Sequence, residues 1–135
     1  MALIVQKFGG TSVADIERIK NAAIRAANTH NAGNSVVVVV SAMAGETNKL
    51  VALTEQASEF PVGREYDVVL SAGEQVTIGL LSIVLKEMGC KAKSYTGPQV
   101  PIITDSQFGS ARIERIETEK IFKELEDGKI VVVAG

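Results

Sequence analysis

The sequence predicts an α/β protein, a mainly parallel sheet covered by helices, and three observations carry that prediction. Two apolar runs, Val36–Val40 and Ile130–Ala134, are short, unbroken and rich in β-branched residues. Such runs are strands buried on both faces, the pattern of a parallel sheet lying under helices. Between the strand-like Leu3-Ile4-Val5 and the first valine run, Val13, Ile16, Ile19, Ala23 and Ala26 recur at spacings of three and four. Glu17, Arg18, Lys20 and Arg25 fall between them, so this segment is a helix with one buried face. Strand, helix and strand in that order make a βαβ unit, expected to be right-handed.

The remaining elements follow the same alternation. The first helix ends in the polar loop from Asn28 to Asn34, and a second helix is expected from about Lys49 through Leu50, Leu53 and Ala57. Phe60-Pro61-Val62-Gly63 breaks that pattern, and a further helical stretch runs from about Arg64 to Leu70. Ser71-Ala72-Gly73-Glu74 then reads as a junction. Beyond it, Val76, Ile78, Leu80, Leu81, Ile83, Val84, Leu85 and Met88 make a helix that is apolar nearly all round, closed by Gly89 as a C-cap. Cys90 to Tyr95 is a strand, left by Thr96-Gly97-Pro98. Val100 to Thr104 is a short extended piece that Pro101 confines to an edge or a strand start. Asp105 to Ser110 is a polar loop, and Arg112 to Ile116 alternates as a strand does. Thr118 is expected to cap a helix burying Ile121, Phe122 and Leu125, with Gly128 after its end and the second buried run behind it.

Composition narrows the function classes. At 135 residues and 46% hydrophobic, the chain is one ordinary globular domain with a real core. Fourteen basic against sixteen acidic residues, a net charge of −2, give no electrostatic footprint for nucleic acid. Trp is absent and aromatics are few, so no base-stacking platform is expected. No apolar run in the sequence looks long enough to span a bilayer and no signal peptide is evident, so a cytoplasmic protein without membrane or nucleic-acid partners is expected. Cys90 alone forms no internal disulfide, and neither it nor His30 has partners at metal-ligand spacing. Cys90 reads as a small buried residue entering a strand and His30 as a helix-end surface residue.

The stretch Lys7-Phe8-Gly9-Gly10-Thr11-Ser12 is the chemical centre of the sequence. A strand that turns through two glycines into a helix leaves backbone N–H groups pointing at one spot, to which the helix adds its partial positive charge. Glycine permits positive φ and lets the backbone approach a ligand closely. Lys7 adds a full positive charge, so the turn suits a phosphoryl group. The plainer reading is a glycine turn, with Ser12 and Asp15 as a helix cap resembling a capping box and Lys7 as a solvated charge. Neither a Walker A loop nor a G-x-G-x-x-G fingerprint is present. A second loop, Ser41-Ala42-Met43-Ala44-Gly45-Glu46-Thr47-Asn48, leaves the C-terminal end of the valine strand, where ligands bind in open α/β sheets. Ser41 and Thr47 serve there either as caps or as ligand contacts. Glu74, expected to open the apolar helix beside Gly73, is either a partner of the helix dipole or an acceptor for a ligand's ammonium group.

Together, Lys-Phe-Gly-Gly-Thr-Ser-Val at 7–13, Val-Val-Ser-Ala-Met-Ala-Gly-Glu-Thr-Asn at 39–48 and Ser-Ala-Gly-Glu at 71–74 resemble the aspartate kinases of the amino-acid kinase family in order and spacing. The resemblance implies a three-layer αβα sandwich of amino-acid kinase type, here incomplete, with residues 1–135 as its N-terminal substrate- and phosphate-binding part. It implies ATP-dependent phosphorylation of the L-aspartate side chain to 4-phospho-L-aspartate, the first step toward lysine, threonine and their relatives, with Mg²⁺ arriving on ATP. On that basis Lys7 is the catalytic lysine at the transferred phosphoryl group, with Gly9 and Gly10 completing the cradle. Ser41 lies between nucleotide and amino acid, and Ser41, Ala42, Thr47 and Glu74 hold the aspartate, Glu74 facing its ammonium.

No protein ligand for the metal is identified. The family's arginine for the α-carboxylate, its base pocket and its regulatory domains fall beyond Gly135, so the isolated chain is expected to be inactive and the complete one a homo-oligomer. Another acid as substrate (glutamate, N-acetylglutamate or a carbamate) and a non-catalytic binding or assembly fragment are the competing readings. Ile130–Ala134 is expected to be an interior strand of the complete fold whose bare side makes the isolated chain self-associate.

Overall fold

The computed structural model describes residues 2–99, 102–104, 113–116 and 118–135. The chain opens with β1 (Leu3–Phe8), passes through one 3₁₀ turn at Gly10–Val13, and enters α1 (Ile16–Asn31). β2 (Ser35–Val40), α2 (Glu46–Ala57) and α3 (Arg64–Glu87) follow. Next come β3 (Ala92–Tyr95), the short β4 (Ile102–Thr104) and β5 (Ile113–Ile116), α4 (Glu119–Glu126) and β6 (Ile130–Ala134). The main sheet has the order β1-β2-β6-β3 and every pairing in it is parallel. β4 and β5 pair antiparallel in a separate two-stranded ribbon, with a register shift between Ile103 and Thr104. The polar loop expected at Asp105 to Ser110, together with Val100, Pro101 and Arg112, lies outside the described residues.

Period-two alternation distributes the strands between two cores. Val36, Val38, Val40, Ile130 and Val132 face α1 and α3 and pack with Ile19, Leu81 and Leu85, all fully buried. Each such side chain contributes roughly 1.5–3 kcal/mol by leaving water. Ala22, Ala23, Ala26 and Ala27 line the buried side of α1, small residues that let it lie close to its neighbours. On the opposite face Val37, Val131 and Tyr95 meet Leu125 of α4, with Ile121, Val39 and Val133 half-buried around them. The arrangement is therefore three layers, with the second helical layer covering only part of its face.

Several expectations are corrected by this packing. Ser12 does not cap the first helix: the Asp15 carboxylate accepts from the Arg18 amide, and Ser12 sits inside the 3₁₀ turn. Ile16 and Phe122 are 45% and 49% exposed, because each lies at the margin of its helix's contact stripe rather than inside it. The junction at Ser71–Glu74 does not exist; Arg64 to Glu87 is one helix. Its side chains are not buried all round, since Val76 and Ile83 face outward while Ile78, Leu81 and Leu85 seat on the sheet and α1. By length and composition alone this helix, with a mean hydropathy of 1.8 over its most apolar window, does meet the requirement for crossing a membrane, contrary to the expectation that no such stretch exists. Its contact with the sheet identifies it as a core helix of this domain. Thr118 occupies the N-cap position of α4 but its side chain makes no capping hydrogen bond. Cys90 and His30 are both half-buried, less enclosed and more enclosed respectively than expected.

β6 is interior, but both of its neighbours, β2 and β3, come from the described chain, so it has no bare edge. Apolar side chains are bare at β1, where Leu3 and Val5 are 50% and 61% exposed on the face they share with Val37, and also at Phe60 and Val62, each 80% exposed.

Candidate functional site

Three of the sequence's loops meet at one residue, Ala42. β1 and β2 run in register from Leu3 opposite Ser35 to Phe8 opposite Val40, so both strands end at the same level. The Ser41 amide donates to the Phe8 carbonyl at 3.3 Å and ties the second loop to the first. A Cβ added at Gly10 would lie 3.3 Å from the Ala42 carbonyl oxygen. One added at Gly73 would lie 3.0 Å from the Ala42 Cβ and 3.3 Å from Leu50 Cδ1. Real Cβ atoms seldom come so near, so Gly10 and Gly73 are the positions at which the first loop and α3 close onto the second loop. Gly135 arrives at the same edge, its amide donating to the Val40 carbonyl at 2.8 Å.

The first loop works differently from the expectation of positive φ. Gly9 is extended (φ −77°, ψ 175°) and Gly10 is not left-handed either. A Cβ at Gly9 would meet nothing within 4 Å, so that glycine faces open space at the mouth of the site. The 3₁₀ turn is closed by the Ser12 amide donating to the Gly9 carbonyl at 3.0 Å, while the Gly10 and Thr11 amides have no acceptor among the described residues. Arg18 holds the turn from outside, its Nη1 donating to the Thr11 carbonyl at 3.1 Å. Because Asp15 caps α1 with its own carboxylate, the positive end of that helix is already answered. The positive character left at this loop comes from the free Gly10 and Thr11 amides and from Lys7. Lys7 is exposed, pairs in register with Val39, and makes no ion pair among the described residues.

In the second loop Gly45 adopts φ +82°, a left-handed conformation that a side chain would strain, and it starts α2 without a side-chain cap. α2 begins three residues earlier than the spacing suggests, so Thr47 lies in its first turn, exposed, and caps nothing. Ser41 is half-buried and Ala42 buried. Glu74 is carried inside α3, one residue beyond the Gly73–Ala42 contact, and so does not open a helix or answer a helix dipole. It is half-buried, and burial pushes its carboxyl above the usual glutamate value. A carboxylate held so is poised to gain from a positive group brought beside it.

The structure thus brings Gly10, Ser41, Ala42 and the Gly73–Glu74 step together, with Lys7 and Gly9 at the ends of the same strands. Gly73 itself has no role in the sequence reading; an interior glycine between Ala72 and Glu74 in an otherwise helical stretch is the signal that finds it. Among the described residues no group of three or more His, Cys, Asp and Glu gathers as a metal site.

The profile of the amino acid kinase family matches residues 2–135. The chain belongs to that family. A curated aspartokinase from Bacillus sp. (strain MGA3) is 58% identical over the whole chain, which spans 33% of that relative's length. Among solved structures, the aspartate kinase from Synechocystis superposes with a TM-score of 0.82 at 49% identity, over 98% of this chain and 21% of that one. E. coli aspartokinase III, solved in complex with aspartate and ADP, superposes with a TM-score of 0.80 at 24% identity over the full chain and 40% of its own, a likeness of fold. The chain therefore carries an amino acid kinase fold and about a third of the length of the curated relatives it matches.

Proposed function

We propose that this chain is the part of an ATP-dependent aspartate kinase that seats L-aspartate and the phosphoryl group being transferred. The observation that carries the reading is the convergence on Ala42, which joins the free amides of the first loop to the half-buried carboxylate of Glu74. Phosphoryl transfer asks little covalent chemistry of the protein; it asks that two anions be brought together and their charge neutralised. Lys7 and the Gly10 and Thr11 amides supply the neutralisation, and Gly9 leaves room for the phosphoryl oxygens to approach the backbone. Glu74 accepts from the substrate ammonium, and Ser41 and Thr47 border the space between the two reactants. ATP supplies the phosphoryl group: its bond to ADP breaks as a side-chain carboxylate oxygen of aspartate bonds to phosphorus, giving 4-phospho-L-aspartate. Mg²⁺ arrives with the nucleotide; among the described residues no His, Cys, Asp and Glu cluster is assigned to it. The homologues named aspartate kinase support this substrate over other acids.

Glu74 gives the discriminating test, because an acylated amine carries no charge for it to pair with. In the complete enzyme Glu74→Gln is expected to raise KM for L-aspartate about tenfold, the equivalent of one charge-assisted hydrogen bond, with a smaller change in kcat. An unchanged KM for aspartate, or equal use of aspartate and N-acetylaspartate before and after the substitution, removes Glu74 from substrate binding.

A further inference from the structure

At the opposite edge of the sheet from Lys7, separated from it by β2 and β6, a polar cleft of about 600 Å³ opens across β3. Four lysines from three elements line it: Lys86 from the last turn of α3, Lys93 from β3, and Lys120 and Lys123 from α4. Ser94 adds a hydroxyl and Gln99 an amide group, while the Tyr95 hydroxyl is held by Glu124. Among the described residues the only acid in the lining, Glu124, is already engaged. Lys129 Nζ lies 2.6 Å from its carboxylate, and with the Tyr95 hydroxyl that bond holds the Glu124 carboxyl below the usual glutamate range. Among the described residues none of the four lining lysines has an ion-pair partner; Lys120 Nζ donates only to the Gln99 carbonyl, at 3.3 Å. A chain with a net charge of −2 thus gathers four of its fourteen basic residues around one concavity.

Two ordinary roles explain part of this. Lys86 complements the negative end of α3, and Lys93 guards an edge strand against pairing with another chain. Lys123 lies in the last turn of α4 and complements its negative end in the same way, but neither role accounts for Lys120, in the first turn of that helix, or for the convergence of all four lysines on one cleft. Lysine is a compact point charge without the fork that clamps one planar anion, so four of them spaced around a cleft suit a ligand with several charged groups. We propose that this cleft binds a small polyanion carrying two or more phosphate groups, at a site separate from the one around Lys7.

Isothermal titration of this chain with inorganic pyrophosphate at low salt tests the proposal, with folding of each variant checked by circular dichroism. Saturable one-to-one binding is expected, weakening with added salt as screening grows. The pair Lys93→Glu and Lys123→Glu is expected to weaken it at least tenfold, the milder Lys93→Gln and Lys123→Gln by severalfold, and Lys7→Ala to leave it unchanged. Absence of saturable binding overturns the proposal, as does equal affinity in the lysine variants. Loss of binding in Lys7→Ala assigns the anion to the first loop and overturns it too.

Discussion

The two faces of the main sheet are made from the same valines and are covered very differently. Val36, Val38 and Val40 point one way and vanish beneath α1 and α3; Val37 and Val39 point the other way, beneath a single eight-residue helix. On the first face alanines bring α1 in and Leu81 and Leu85 fill the gap, leaving no large side chain of that cluster exposed. On the second, α4 buries Val131 and Tyr95 but leaves β1 uncovered, where Leu3, Val5 and Lys7 are exposed on alternate residues. The closed face is where stability resides. The open face carries the lysine on which the proposed chemistry depends, and access to that lysine requires a face left uncovered at this edge.

Removing bulk from the closed face costs the chain most. Leu81→Ala is expected to destabilise the chain by about 3 kcal/mol, transfer plus cavity, as read from urea denaturation midpoints. A loss below about 1 kcal/mol there contradicts the picture of a tightly filled core. On the open face, Leu3→Lys with Val5→Lys changes stability by less than about 1 kcal/mol but is expected to shift the chain toward monomer in sedimentation runs. Unaltered self-association in that variant places the sticky surface elsewhere.

The smallest effect concerns the edge of α4. Lys129, with the Tyr95 hydroxyl, lowers the Glu124 carboxyl from the usual 4.5 of a glutamate, so the folded chain holds that proton less tightly than the unfolded one. The resulting stabilisation is present above pH 4.5 and fades as pH falls through the lowered folded value. Glu124→Gln is expected to cost stability at neutral pH and to flatten the acid limb of a melting-temperature profile. A parallel profile for variant and parent rejects the pairing.

The sequence showed the strands and most helices because their signals are local. A run of valines has one reading, and a three-four spacing has another. What it hid depends on contacts between distant residues. Ser71-Ala72-Gly73-Glu74 looks like a junction because an interior glycine costs a helix about 1 kcal/mol. Here the absent side chain allows α3 to lie against Ala42, and Thr77 and Ser82 return their hydroxyls to the Gly73 and Ile78 carbonyls within one unbroken helix. The same miss placed Glu74 at a helix start. β6 looked in need of a neighbour from outside because no local signal says that Ile130 will pair with Ala92. Ser12 and Asp15 are both competent caps by residue type, and only the 3₁₀ turn decides for Asp15. The three site loops were legible as strings, while their meeting at Ala42 was not.

In the proposed reaction the loop after β1 holds the phosphoryl group and Lys7 neutralises it. Steady-state kinetics of Lys7→Ala in the complete enzyme, with aspartate and ATP saturating, tests this most directly. The substitution removes an exposed side chain with no ion-pair partner among the described residues, so the fold is expected to persist. The predicted result is a fall in kcat of at least about a hundredfold, the equivalent of about 2.7 kcal/mol of transition-state stabilisation. A folded Lys7→Ala enzyme that turns over at the parent rate contradicts the claim.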